Sequence, residues 1–490
     1  MVFNSQEFLV FFPVVVFIYF IIPKKARYIW LLVSSYYFYM SWNPEYALLI
    51  AFSTTATYLS GVLIGKFSAE GRKKGAKWSV ALCLIANLGI LAVFKYGNFF
   101  LTYLGKITSF LGMGGIDYRL DLLLPVGISF YTFQALSYTL DVYRRRIKPE
   151  KNILKYALFV SFFPQLVAGP IERSENLLPQ IQNIPNIKVW DFERIRDGFF
   201  LMMWGLFQKL VIADRASILV DNVIHNYPYY GFVEIAAAIL LFAVQIYCDF
   251  GGYTNIARGA AKVLGFQLMN NFAQPYLARN IKDFWRRWHI SLTSWFTDYL
   301  YIPLGGNRKG NFRKYLNTLI VFAVSGLWHG ASWNFVAWGL IHAVYQIIGG
   351  IRSNWLKKKG IRPACPDSFS VKLRNIAGTF LLVNFAWIFF VCGSVGHAFQ
   401  VIRQMCSRYY VCGITNLGLN ETNLWILGIS IVLLAAVDLM HEKEIGIFAA
   451  FSRQQIWFRW IVCLGLIWSI IMFGIYGEAY DTSTFIYFQF

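Results

Sequence analysis

Polar stretches long enough to build a soluble domain are missing from this chain of 490 residues, of which only 14% are charged while 57% are hydrophobic and 19% aromatic. So little charge cannot cover a globular surface in water, which excludes a soluble enzyme and leaves an integral membrane protein. Acidic residues are scarce even within that small set: 25 Asp and Glu stand against 45 Lys and Arg, for a formal net charge of +20. In a soluble protein that excess would point to nucleic acid. Here it gathers at 24–27, 66–77, 144–151, 308–314 and 352–374, short links between apolar runs. Such clustering marks cytoplasmic loops, so no nucleic-acid partner is expected.

Cysteine is sparse as well, seven in all and no Cys-x-x-Cys pair. Cys83, Cys248, Cys392 and Cys463 sit in or beside apolar runs and read as packing residues, while Cys406 and Cys412 share a polar loop where a disulfide has room to form. Internal repeats, low-complexity tracts and soluble appendages are lacking too, so residues 1–490 are expected to form a single membrane domain.

What the chain has in quantity is apolar runs of about 20 residues, each able to cross ~30 Å of hydrocarbon. They lie near 7–23, 26–42, 45–65, 78–95, 122–142, 195–213, 231–248, 375–392, 424–440 and 456–476. Runs near 97–111, 153–168 and 315–348 are shorter or interrupted by Gly, Pro or polar residues. They read as re-entrant or half-length helices, which persist only where protein or a water-filled cavity surrounds them. The expected fold is therefore all-α and polytopic, with about 10–12 transmembrane helices plus these partial ones. The first run has no basic region before it and is followed by Pro23, Lys24, Lys25 and Arg27 instead of a small-residue cleavage site, so it is expected to stay as a span.

Loop charge then sets orientation. With 24–27, 66–77 and 144–146 inside, the N-terminus is outside; with 352–374 inside, 393–423 is outside, 441–459 inside and the C-terminus outside. The same rule makes 315–348 a helical hairpin, because Arg313 and Lys314 precede it and Arg352 follows it. Its midpoint falls at Trp328–Ser332, and each arm is expected to cover only ~20–25 Å at 1.5 Å per residue, short of a full crossing. His329 would then sit below the outer surface, at the floor of a depression.

An ionisable side chain at membrane depth is costly and usually functional, which singles out His329 within its apolar run. Its neighbours Ser325, Ser332 and Asn334 make a polar pocket the economical account, although a satisfied core histidine with Trp328 packed beside it is the plainer one. A second stretch reads Phe284, Trp285, Arg286, Arg287, Trp288, His289, and runs on through Gly305 and Gly306 to Arg308. Composition alone allows an interfacial helix with snorkelling arginines. The alternative is a cytoplasmic-side entry for an anionic cofactor, with Arg286 and Arg287 meeting its phosphates and Trp285, Trp288, Trp328, Ser332 and Asn334 as candidate lining of its path. His329 and His289 form the candidate catalytic pair: a neutral imidazole takes the proton of a hydroxyl as it attacks a thioester, typically worth ~10²–10⁴ in rate. Those two histidines lie on separate elements with no carboxylate at ligand spacing, so no metal site is expected.

The runs Phe284–Leu292, Asp298–Arg308, Gly326–Asn334, Gln165–Glu172 and Tyr247–Tyr253, in that company, resemble the membrane-bound O-acyltransferases of the alginate O-acetylase branch, and the similarity covers nearly the whole chain. The resemblance implies a multi-helix fold around a central funnel and tunnel, with a catalytic core over 270–350. It also implies transfer from a cytoplasmic donor to an acceptor outside. On that pattern His329 matches the catalytic histidine and His289 the supporting one. Acetyl-CoA is implied as donor substrate, with no tightly bound cofactor. The implied acceptor is an extracytoplasmic polysaccharide, with a cell-surface or periplasmic esterase-like transferase as partner and the cell membrane as location.

The C-terminal segment 478–490 ends in Phe485, Ile486, Tyr487, Phe488, Gln489 and Phe490. Most such aromatics anchor to membrane lipid. Tyr487 also resembles the terminal tyrosine motif of a small subunit in the related teichoic acid D-alanylation system, which implies an acyl relay through a phenyl ester, a more activated donor than an alkyl ester. Two other functions stay open at this point: D-alanyl transfer to teichoic acid, and a transporter that moves an acyl donor without chemistry, since broken helices also occur in transporters.

Overall fold

The computed structural model describes residues 1–113, 118–360, 368–407, 417–476 and 485, and among them every regular element is helical. Seven helices among the described residues are long and apolar enough to cross a membrane: Pro44–Ala69, Lys73–Phe110, Phe232–Leu264, Trp333–Lys358, Phe369–Val391, Glu421–Glu442 and Ile456–Phe473. The chain is thus a polytopic all-α membrane protein. Several other runs fold as shorter helices, and two compact units emerge.

The first unit comprises Met1–Met202 and Ile256–Met269. It holds α1 (Gln6–Ile21), α2 (Arg27–Met40), α3 (Ala47–Ala69), α4 (Lys73–Leu91), α5 (Gly97–Phe110), α6 (Ile128–Tyr143), α7 (Ile153–Ser161), α8 (Phe163–Leu166), α9 (Ser174–Gln182) and the start of α10 (Phe192–Leu206). The run at 97–111 is not a separate partial helix: a π-helical turn over Ala92–Tyr96 joins α4 to α5 in one stretch, Lys73–Phe110. No proline interrupts it, and the π-turn absorbs the change of register. The broken run at 153–168 is as expected, since α7 stops at Ser161 and α8 restarts one residue later with Pro164 in its first turn. Residues 156–172 are buried throughout. The freed carbonyl of Phe159 accepts from Gln134 Nε2 at 2.5 Å and Gln165 Nε2 at 3.1 Å, so that carbonyl is paired despite the break. Glu172, beyond this break, accepts from Asn176 Nδ2 at 2.7 Å and from the Met269 amide; burial nevertheless pushes its carboxyl up to about 7.

The second unit comprises Met203–Asn255 and Asn270–Phe490. It holds the end of α10, α11 (Asp214–His225), most of α12 (Phe232–Leu264), α13 (Ile281–Arg287), α14 (Ile290–Phe296), α15 (Gly310–His329), α16 (Trp333–Lys358), α17 (Phe369–Val391), α18 (Val395–Ser407), α19 (Glu421–Glu442), α20 (Ile447–Ser452) and α21 (Ile456–Phe473). Lys209 ties its core electrostatically, with Nζ 2.8 Å from Asp214 and 2.6 Å from Asp249. Removing one member of such a buried set costs about 3–5 kcal/mol, because a charge is left without its partner.

The predicted hairpin is α15 and α16, reversing over Gly330–Ser332, but its arms are longer than expected. They have 20 and 26 residues, about 30 and 39 Å at 1.5 Å per residue, so α16 is a full-length candidate span. Both helices continue past the apolar run through charged residues, Arg313 and Lys314 at one end and Arg352 at the other, which hydropathy alone treats as boundaries. The arms meet backbone to backbone: a Cβ on Gly326 would lie 2.3 Å from the Phe335 carbonyl oxygen. Cys406 is exposed and Cys412 lies outside the described residues, so the disulfide reading is not placed.

Candidate active site

The tip of the hairpin puts a histidine where the chain must turn. His329 ends α15, Gly330 continues in extended conformation, and Ser332 caps α16. Gly330 is required by space: an added Cβ would fall 2.3 Å from the Phe335 ring. His329 is 3% exposed, its ring 5.0 Å from Trp328, 5.1 Å from Trp338 and 5.4 Å from Phe390, centroid to centroid.

His289 arrives from a different element and in a strained conformation. It sits between the short helices α13 and α14 with φ +44°, in the left-handed region, where a non-glycine residue costs roughly 1–3 kcal/mol. The strain is held by Asn271. Its carbonyl accepts from the Ile290 amide at 3.0 Å, and its Oδ1 accepts from Ser291 Oγ at 2.6 Å and the Ser291 amide at 3.3 Å, while its Nδ2 donates to Thr254 at 3.3 Å. His289 is 1% exposed, with its ring 4.7 Å from Phe250, 5.8 Å from Trp328 and 6.3 Å from His329. The two histidines are therefore brought together, and Trp328 packs against both.

A cavity of about 2070 Å³ lies beside this centre, with neither histidine in its lining. It is larger than the ~300–1,000 Å³ of ordinary small-molecule pockets, with room for a coenzyme-sized ligand. Arg279, Lys282, Lys314, Arg352, Lys357 and Arg374 line it, and among the described lining residues there is no Asp or Glu. Its inner wall includes Trp285, Phe322 and Ser325. Ser325 lies one helical turn before His329 on α15, a rise of about 6 Å. The arrangement suits an anionic ligand whose charged groups meet these cations.

The other predicted residues fall in several places. Trp285 borders the cavity, but Arg286, Arg287, Trp288, Trp328, Ser332 and Asn334 do not. Arg286 is exposed. Arg287 is occupied structurally, 2.5 Å from Glu442 at the end of α19 and 3.2 Å from Asp283. Trp288 is packed between Phe284, Phe272 and Trp387. Ser332 is half-buried at the cap, and Asn334 Nδ2 donates to the Cys392 carbonyl at 2.8 Å, fixing the start of α16 to the end of α17. Tyr487 lies outside the described residues; two positions earlier, Phe485 is buried with its ring 4.9 Å from Tyr253 and 6.0 Å from the same Phe250 that packs on His289. Sequence reading missed Asn271, His342 and the cavity's cations. Of these only His342, an ionisable residue within an apolar run, carried a local signal.

Comparison with known proteins shows the family. A model described as "MBOAT, membrane-bound O-acyltransferase family" matches residues 79–391, which include both histidines. A probable alginate O-acetylase of Pseudomonas aeruginosa is 36% identical over 439 residues, 89% of this chain and 80% of that protein. A peptidoglycan O-acetyltransferase of Helicobacter pylori is 34% identical over 438 residues, 83% of this chain and 80% of that protein. A teichoic acid D-alanyltransferase of Bacillus subtilis is 28% identical over 254 residues, 49% of this chain and 62% of that protein.

Proposed function

From its membership of the membrane-bound O-acyltransferase family, which makes the chain an O-acyltransferase, we propose that it moves acetyl from cytoplasmic acetyl-CoA to hydroxyls of an extracytoplasmic polysaccharide. The observation that carries this reading is the basic cavity ending one helical turn from His329. Four of its six cations, Lys314, Arg352, Lys357 and Arg374, belong to or adjoin the loops that charge bias assigns to the cytoplasm. The donor therefore enters from inside, and the acceptor meets His329 from the other side of the membrane.

In the proposed step His329 takes the acceptor hydroxyl proton as its oxygen attacks the thioester carbonyl. The C–O bond forms, the C–S bond breaks, and the proton passes to the departing thiolate, so ester and free CoA are the products. His289, 6.3 Å away and locked by Asn271, supports the second ring. Acetyl-CoA is consumed as substrate and is not a resident cofactor.

The first hydroxyl to react is proposed to be that of Tyr487. Phe485, two positions earlier, reaches the Phe250–Tyr253 surface beside His289, which supports a tail delivered to the site. The acetyl group then passes to the polymer through an esterase-like partner outside, at the cell membrane, with both chain ends extracytoplasmic.

The test is purified protein in liposomes supplied with acetyl-CoA. An acetyl ester, about 42 Da heavier on the C-terminal peptide and absent from Tyr487→Phe, is the expected result. Unchanged turnover in Tyr487→Phe removes the relay. Donor movement with no ester formed would favour a transporter, and ester formation only from a D-alanyl-loaded carrier would favour the teichoic acid reaction.

A further inference from the structure

Between the cavity and His329 stands one aromatic layer, and a third histidine lies inside it. His342, on α16, is fully buried among Phe284, Trp285, Phe322, Trp338 and Tyr345, with ring centroids 5.1–6.4 Å away. Three of those five rings, Trp285, Phe322 and Tyr345, line the cavity. A fourth, Trp338, one turn before His342 on α16, stacks edge-on against His329 at 5.1 Å. His342 thus touches the back of the donor wall on one side and the ring that packs on the catalytic histidine on the other.

The polar contact made by His342 has a direction. Trp285 Nε1 donates to His342 Nδ1 at 3.3 Å, so the neutral imidazole carries its proton on Nε2, which has no hydrogen-bond partner among the described residues. Filling the layer would be done as well by phenylalanine, and a buried imidazole is costly unless a hydrogen bond repays it. Among the described residues the one hydrogen bond to this ring comes from a cavity-lining side chain, Trp285.

We propose that His342 is a positioning residue for the acyl donor: by accepting the Trp285 indole N–H it fixes the cavity's inner wall in register with His329, and so sets where the donor's thioester comes to rest. This rests on the donor reading above. It assigns His342 no proton transfer and no contact with the reacting atoms.

The test compares His342→Phe, which keeps ring volume and removes the acceptor, with His342→Asn, whose amide oxygen reaches the Nδ1 position. A neutral hydrogen bond has a net worth corresponding to roughly two- to twelvefold, so His342→Phe is expected to raise KM for acetyl-CoA by about that factor while kcat stays within about twofold. His342→Asn is expected to return KM to within about twofold of wild type. A merely structural role would lower the active fraction, and with it apparent kcat, at unchanged KM. Equal KM values in wild type and His342→Phe, or an Asn variant no better than Phe, would overturn the assignment.

A second measurement is independent of any donor. In protein carrying ¹⁵N-labelled tryptophan, the Trp285 indole resonance, identified by its loss in Trp285→Phe, should move in His342→Phe and return in His342→Asn. A wild type that makes no ester from acetyl-CoA removes the donor reading alone. An indole resonance unmoved by His342→Phe removes the His342 assignment whichever donor is used.

Discussion

The rings of His289 and His329 lie 6.3 Å apart at 65°, although 39 residues of chain separate them, and each is held by a different device. His329 is placed by the reversal of a helical hairpin, which the lack of space at Gly330 makes abrupt. His289 is placed by a left-handed residue clamped through Asn271. Two rings brought this close from separate elements are a built arrangement and not a by-product of lipid-facing packing.

Asn271→Ala removes three of the bonds that hold the strained His289. The expected cost is roughly 1–3 kcal/mol of stability, from the donors it leaves unsatisfied, together with at least a tenfold drop in acetyl transfer. Thermal unfolding in detergent and a transfer assay at a temperature where the variant is fully folded separate the two effects.

Gly330→Ala places a methyl group 2.3 Å from the Phe335 ring, so either the ring or the turn must shift. Overpacking of this kind costs typically ~1–3 kcal/mol, and the shift falls on the residue after His329. The double variant Gly330→Ala, Phe335→Leu should recover part of the lost stability. If Gly330→Ala alone has wild-type activity and melting temperature, the turn is not the device that sets His329.

Charge in the cavity is the next point of test. Arg352→Ala and Arg374→Ala are each expected to raise KM for acetyl-CoA several-fold, with an effect that shrinks as salt rises, because these guanidinium groups line the cavity. Arg286→Ala, at an exposed position away from that lining, should leave KM within about twofold. The reverse ranking would return the phosphates to the stretch that sequence composition first suggested.

How much of this was legible beforehand depended on which signals are local. The hairpin at 315–348 and the break near 162 were readable, because loop charge and a proline next to a short run are local features. His329 and His289 stood out for the same reason, as costly residues beside tryptophans. The lengths of the hairpin arms were not readable, since helices run on through Arg313 and Arg352 where hydropathy stops. Arg286 and Arg287 looked like phosphate ligands by composition, yet the partner of Arg287 is Glu442, 155 residues away, and no spacing rule reaches that far. Likewise the link from Trp285 to His342 joins elements 57 residues apart and is visible only when the helices are packed.

The most direct measurement of the central claim is acetyl transfer by His329→Ala, with radiolabelled acetyl-CoA, in protein shown to be folded and to bind CoA as wild type does. General-base removal predicts a loss of ~10²–10⁴ in rate with donor affinity retained. A His329→Ala protein that transfers acetyl at the wild-type rate would contradict the account at its centre.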